Sequence, residues 1–207
     1  MRLINVQSLE LEEFLGGNFP PYYILSHTWG DEEISFQEYT WLQAYKEKVA
    51  AGIIEEKPPK HRERLRAKDE SLRRRSGYQK IVRFAQLVPA LNSEMLDNHR
   101  RTADYIWVDT CCINKESSAE LSEAINSMYQ WYKEAELCIA FMADVEDTKV
   151  APQSGFGKSR WFTRGWTLQE LLAPKLVLQQ TLEVYHGEAH GQAYHRGGDW
   201  NRRGLSH

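Results

Sequence analysis

The chain has 207 residues, of which 42% are hydrophobic and 27% charged, and a formal net charge of −3. That length favours one domain able to bury roughly 70% of its unfolded surface, so no metal or disulfide is needed to hold a core. The charge balance gives no reason to expect nucleic acid or an anionic membrane as a partner.

Met1 to Val6 lack the apolar run of a signal peptide, and no stretch approaches the ~20 apolar residues of a membrane span. Three cysteines, two of them adjacent as Cys111 and Cys112, do not make a disulfide framework. Reduced thiols and a cytoplasmic location are the expectation.

The first strand is Tyr22 to Ser26, entered from Pro20-Pro21 and broken at Trp29-Gly30-Asp31. Its unbroken apolar run fits a strand covered on both faces. From Lys46 to Arg75 basic and acidic residues interleave, which reads as a solvated, partly helical insertion with i,i+4 charge pairs. A phosphate-binding patch is the sharper reading of that insertion, but it has no aromatic residue for base stacking.

From Gly77 a helical face appears in Ile81, Phe84, Ala85, Val88 and Leu91, with Pro89 expected to kink or end it. Tyr105 to Asp109 reads as a second strand ending in an acid. Ser117 and Glu120 have capping-box spacing, opening a helix with inward Leu121, Ala124, Ile125, Met128, Trp131 and Tyr132. Leu137 to Met142 is a third strand. A Pro-, Ser- and Gly-containing loop, 151–158, leads to a short helix from about Thr163 to Leu172, stopped by Pro174, and Lys175 to Leu178 is a fourth strand. Alternating strands and helices predict an α/β fold, a parallel sheet wound with helices.

Ligands of such sheets bind beyond the carboxyl ends of the strands. Ser26, His27 and Trp29 follow the first strand; Asp109, Cys111, Cys112 and Asn114 follow the second. The crossover after the third carries Arg160, Trp161, Arg164 and Trp166. Each has a plainer role: His27 as a hydrogen-bonded structural histidine, Asp109 as a turn cap or partner of Arg164, and Trp107, Trp131 and Trp161 as core or pocket wall. The cysteines read as small buried hydrophobes, with a thiol nucleophile served by His27 and Asp109 as a minor alternative. Adjacent cysteines lack the gap of zinc ligands, and His186, His190 and His195 lie among glycines, so no metal site is expected.

Glu170 lies one helical turn after Trp166, so the two share a face, leaving Leu168, Leu171 and Leu172 for the core side. A carboxylate beside an indole in a cleft has a raised pKa and can stabilise positive charge or orient a ribose hydroxyl. An ion pair with Arg164 or Arg160 is the competing role.

Several long segments closely resemble the HET (heterokaryon incompatibility) domain of filamentous fungi. They are Tyr23 to Gly30, Trp107 to Lys115, Ser117 to Tyr132 and Ser159 to Pro174, with Met1 to Asn5 and the Gly77-Tyr78-x-Lys80-Ile81 stretch also fitting. The resemblance covers residues 1–178 and implies a role in self/non-self recognition and regulated cell death, through self-association and contact with other incompatibility proteins. It also implies a distant relation to TIR domains, whose sheet is flavodoxin-like and some of which cleave NAD with a glutamate in a Trp-Cys-x-x-Glu segment. Trp166 to Glu170 has that spacing, with Thr167 in the cysteine's place. By that similarity Glu170 is the catalytic candidate, and Ser26, His27, Trp29, Asp109, Asn114, Arg164 and Trp166 line the pocket. NAD would be a substrate and not a resident cofactor, since no Rossmann glycine fingerprint is present. The chain departs from the family pattern in its long insertion and after Leu178, where 179–207 read as an irregular, divergent or truncated tail.

Overall fold

The computed structural model describes residues 1–145, 159–165, 167–180 and 192–195. Among the described residues, seven strands form one sheet: β1 (Arg2–Asn5), β2 (Leu11–Glu13), β3 (Tyr22–His27), β4 (Tyr105–Trp107), β5 (Leu137–Phe141), β6 (Leu176–Gln180) and β7 (Gln192–His195), in the order β2-β1-β4-β3-β5-β6-β7. The helices are α1 (Phe36–Ala50), α2 (Pro59–Arg74), α3 (Ser76–Asp97), α4 (Asp109–Cys112), α5 (Ser118–Glu134) and α6 (Thr167–Leu172), with a 3-10 turn over Arg160–Thr163.

β3 pairs in parallel with β4 on one side and β5 on the other, and β5 with β6. The parallel strands thus run second-first-third-fourth in chain order, the winding of flavodoxin-like sheets. The chain leaves β3 toward β4, then returns across β3 to β5. Ligands of parallel sheets bind in the crevice at such a reversal, here the carboxyl ends of β3 and β5. All six residues of β3 are buried, as its apolar run predicts. Trp107 at the end of β4 meets Trp131 and Tyr132 of α5 edge-on, at 5.7 and 6.0 Å, joining sheet and helix through a geometry aromatic rings favour.

The 46–75 insertion holds the surface helix α2, which buries only Leu72 and carries the i,i+4 pairs Arg73–Asp69 and Arg74–Glu70, with Ile54 buried ahead of it. Several other sequence expectations change. Pro89 does not end α3, which runs on to Asp97. Beyond the proline, Leu91 and Met95 are buried, and that packing offsets the lost backbone bond. The capping box at Ser117 is half formed. Ser117 Oγ accepts from the Glu120 backbone, but the Glu120 carboxylate turns to Arg2 and the Asn114 N–H. Ile125 faces outward. The expected irregular tail includes β7, an antiparallel partner of β6 with Leu176 opposite His195 and Gln179 opposite Gln192. The loop 151–158 and residues His186 and His190 lie outside the described residues.

One close approach fixes the start of α3. A Cβ on Gly77 would lie 2.6 Å from the Glu32 carbonyl oxygen, 2.7 Å from Glu33 Cα and 3.0 Å from the Ile34 nitrogen. The Gly77 and Ser76 amides meanwhile donate to the Glu32 carbonyl and carboxylate, each at 3.2 Å. The contacts are backbone and cannot swing aside. Gly77→Ala should therefore cost about 1–3 kcal/mol, read as a lower urea midpoint at unchanged slope. Gly165→Ala, where an added methyl meets nothing, should stay within about 0.5 kcal/mol of wild type.

Candidate functional site

β3 ends in two polar residues, Ser26 and His27, both buried. Buried polar groups require partners, and each of these two residues gathers its own set.

Ser26 Oγ accepts from Trp161 Nε1 at 2.7 Å and donates to Glu170 Oε2. Because the indole only donates, the single hydroxyl proton of Ser26 must point at the carboxylate. Trp161 reaches this spot on the 3-10 turn, which Asp144 anchors at the end of β5. Asp144 accepts from Ser159 Oγ at 2.7 Å and from the Arg160 amide at 2.8 Å, and these bonds hold its carboxyl below the usual range against the opposing effect of burial.

Glu170 comes from α6 and is only 6% exposed. Burial pushes its pKa up, while the Ser26 hydrogen bond and the Arg164 charge pull back and Asp109 adds to the rise. The result is above the ordinary glutamate value. Leu168, Leu171 and Leu172, expected on the core side, are exposed instead, Leu168 by 63%. A helix of six residues presents little more than one position inward, and the polar Ser26 at the strand end takes the carboxylate there. The ion pair with Arg164 or Arg160 does not form. Arg164 Nη1 donates to the His27 carbonyl at 2.6 Å, and Arg160 lies by Asp144.

His27 Nε2 lies 2.9 Å from Asp109 Oδ1, and its Nδ1 lies 2.7 Å from Lys80 Nζ. Asp109, first residue of α4, also accepts from Trp29 Nε1 at 2.9 Å and has Lys115 Nζ at 3.7 Å. Burial works upward on Asp109, but the His27 bond and the Lys115 charge prevail and hold its pKa below the usual carboxylate range. Burial lowers the pKa of Lys115, whose ammonium sits 3.6 Å over the Trp29 ring with Arg164 5.9 Å from the same ring. Such cation–π contacts hold a half-exposed indole in place.

The structure therefore brings together Ser26, His27, Trp29, Asp109, Arg164 and Glu170. It does not bring in Asn114, whose Oδ1 accepts from Gln37 Nε2 at 2.7 Å and the Glu116 amide at 3.2 Å, tying α1 to the turn before α5. Trp166 lies outside the described residues. His27 faces Asp109 and Lys80, not a thiol, and burial pushes the Cys111 and Cys138 thiols well above their ordinary pKa, which leaves these sulfurs as packing groups. Among the described residues no His/Cys/Asp/Glu cluster is arranged for a metal ion.

Two clefts lie away from these strand ends. One of about 470 Å³ opens at the amino ends of β3 and β5, where Arg101 and Lys175 pair with Glu136. One of about 170 Å³ lies between α1 and the β1–β2 turn. Neither contains the convergent buried acid, hydroxyl and indole found at the carboxyl ends of β3 and β5, which makes those strand ends the candidate site. Sequence reading missed Lys80, Glu33 and Lys115 as members of it. The available signal was Lys80 itself, a lysine one turn before Phe84 on an apolar helical face.

A family model described as heterokaryon incompatibility protein (HET) matches residues 22–154. The chain belongs to the heterokaryon incompatibility family. The matched span holds Ser26, His27, Trp29, Lys80, Asp109 and Lys115, and stops before Glu170. The chain is 37% identical over 169 residues to the vegetative incompatibility protein HET-E-1 of Podospora anserina, covering 78% of the chain and 10% of that protein. The chain thus spans about a tenth of the length of the curated relative it matches. No solved structure matches it. No helix among the described residues is long and apolar enough to cross a membrane.

The raised pKa of Glu170 has a measurable sign. Protonated Glu170 favours the native state fully below the unfolded value of 4.5, and this contribution is lost as pH rises through the higher folded value. Glu170→Gln cannot ionise. Its stability relative to wild type should therefore climb as pH rises above about 4.5 and then level off. Denaturant titrations of both proteins from pH 4 to 8 measure this, and a pH-independent difference contradicts the buried-acid description.

Proposed function

We propose that this domain is an effector module of vegetative incompatibility, acting in self/non-self recognition and regulated cell death through self-association and contact with other incompatibility proteins. Family membership supports this reading, as does the identity with a relative whose own name is vegetative incompatibility protein. A domain that spans a tenth of that relative's length fits a part that is controlled by other parts of a larger protein.

One observation favours a chemical output as well: the buried Glu170 carboxylate, aligned by Ser26 at the switch point of the sheet. On this reading the pocket cleaves the nicotinamide–ribose bond of NAD. Departure of neutral nicotinamide leaves positive charge on the ribose, and an ionised carboxylate fixed nearby stabilises it better than mobile water does. The Ser26 hydrogen bond favours the ionised form that the reaction needs. Arg164 and Lys115 offer charge to the phosphates, and Trp29 offers a face to a planar ring.

Concentrated protein incubated with NAD should release nicotinamide, and Glu170→Gln should lower kcat by at least about a hundredfold. The wild-type rate should fall as pH drops through the raised Glu170 pKa. Equal rates for wild type and variant exclude Glu170 as the catalytic carboxylate. Cell death on expression of both proteins alike would assign the output to self-association alone.

A further inference from the structure

The function proposed above makes no use of the ion pair buried behind His27. Lys80 is on the inner face of α3, 8% exposed. Its ammonium donates to Glu33 Oε1 and to His27 Nδ1. Glu33 Oε1 itself lies 3.7 Å from His27 Nδ1. A continuous polar chain thus runs from Glu33 through Lys80, His27 and Asp109 to the indole of Trp29, which is 50% exposed at the crevice.

Desolvating a lysine and a carboxylate is costly, and a buried ion pair seldom repays that cost in stability. What this pair contributes is direction. An ammonium only donates, so the ring nitrogen facing Lys80 must carry its lone pair, and the proton of the neutral ring must sit on Nε2. From there it donates to Asp109 Oδ1, which turns Oδ2 toward Trp29 and Lys115. The Gly77 contact places this pair. With no Cβ at residue 77, the first turn of α3 lies directly on Glu32 and Glu33, and Lys80 follows three residues later.

We infer that Lys80, held by Glu33, is a positioning residue that fixes His27 as the Nε2–H tautomer and thereby sets Asp109 and Trp29 at the crevice. The pair acts through His27 and touches no substrate. This role accounts for the Gly77-Tyr78-x-Lys80 stretch of the family resemblance, which the pocket residues leave unexplained. The inference rests on the crevice being the working site, but its primary readout is independent of turnover.

Nitrogen-15 NMR of the imidazole in the intact chain tests it. Wild-type His27 should show a pyridine-like Nδ1 and a pyrrole-like Nε2. In Lys80→Met, Glu33 becomes the nearest partner of Nδ1, and both ring nitrogens should be protonated. The double variant Lys80→Met/Glu33→Gln removes both charges, guards against a fold lost to an unpaired carboxylate, and should give a mixture of neutral tautomers. Trp29 should become more accessible to an iodide quencher in both variants. Circular dichroism establishes that they are folded. A wild-type ring with its proton on Nδ1, or variants that keep the wild-type nitrogen pattern, would overturn the assignment. With NAD as the probe, the folded variants should lose kcat/KM by up to about a hundredfold, the scale of a slightly misplaced group. If wild type does not turn NAD over, the NAD reading fails while the nitrogen spectrum still decides the role of Lys80.

Discussion

The central strand ends in two polar side chains that water cannot reach, and much of the domain is arranged around satisfying them. Ser26 and His27 close a strand that is buried along its whole length. An unpaired hydroxyl or imidazole there would cost several kcal/mol. The partners come from every crossover of the sheet: Lys80 from the helices between β3 and β4, Asp109 from the turn after β4, and Trp161 and Glu170 from the segment between β5 and β6, where Arg164 also donates to the His27 main-chain carbonyl. The demand for hydrogen-bond partners at one strand end and the convergence of polar groups at the switch point are the same fact, viewed from packing and from chemistry.

The four parallel strands could be read from sequence because each is a short, continuous apolar run bounded by turn residues. Their order could not, since pairing depends on contacts between distant segments. β1 and β2 are short strands at one side of the sheet without a strong apolar run. α1 escaped notice although Ser35 and Glu38 form a complete capping box, because its buried residues are few and spread among polar ones. At the site, the residues at strand ends were legible through the rule that ligands gather there. Lys80 and Glu33 were not, because the role of a buried ion pair depends on which side chain it faces.

α6 inverts the usual pattern. An amphipathic helix ordinarily turns leucines inward and carboxylates outward, and that expectation put Leu168, Leu171 and Leu172 against the core. In the folded domain Glu170 points in and these leucines point out. Six residues supply too little apolar area to set the orientation of a helix, so a strong hydrogen bond to Ser26 outweighs it. Local pattern fails here at a carboxylate that a buried hydroxyl holds inward.

Ser26 and Glu170 are 144 positions apart, and the bond between them closes a loop containing most of the described chain. Contacts of such long range form late, after more local structure has reduced the entropy of closing the loop. As the polypeptide leaves the ribosome, β3, α3 and β4 emerge with Ser26 still waiting for its acid. The carboxylate partner of Ser26 is therefore supplied late in synthesis, just before β6 and β7 complete the sheet. Any nascent or clipped chain lacking α6 would carry the Lys80, His27 and Asp109 side of the site without the carboxylate.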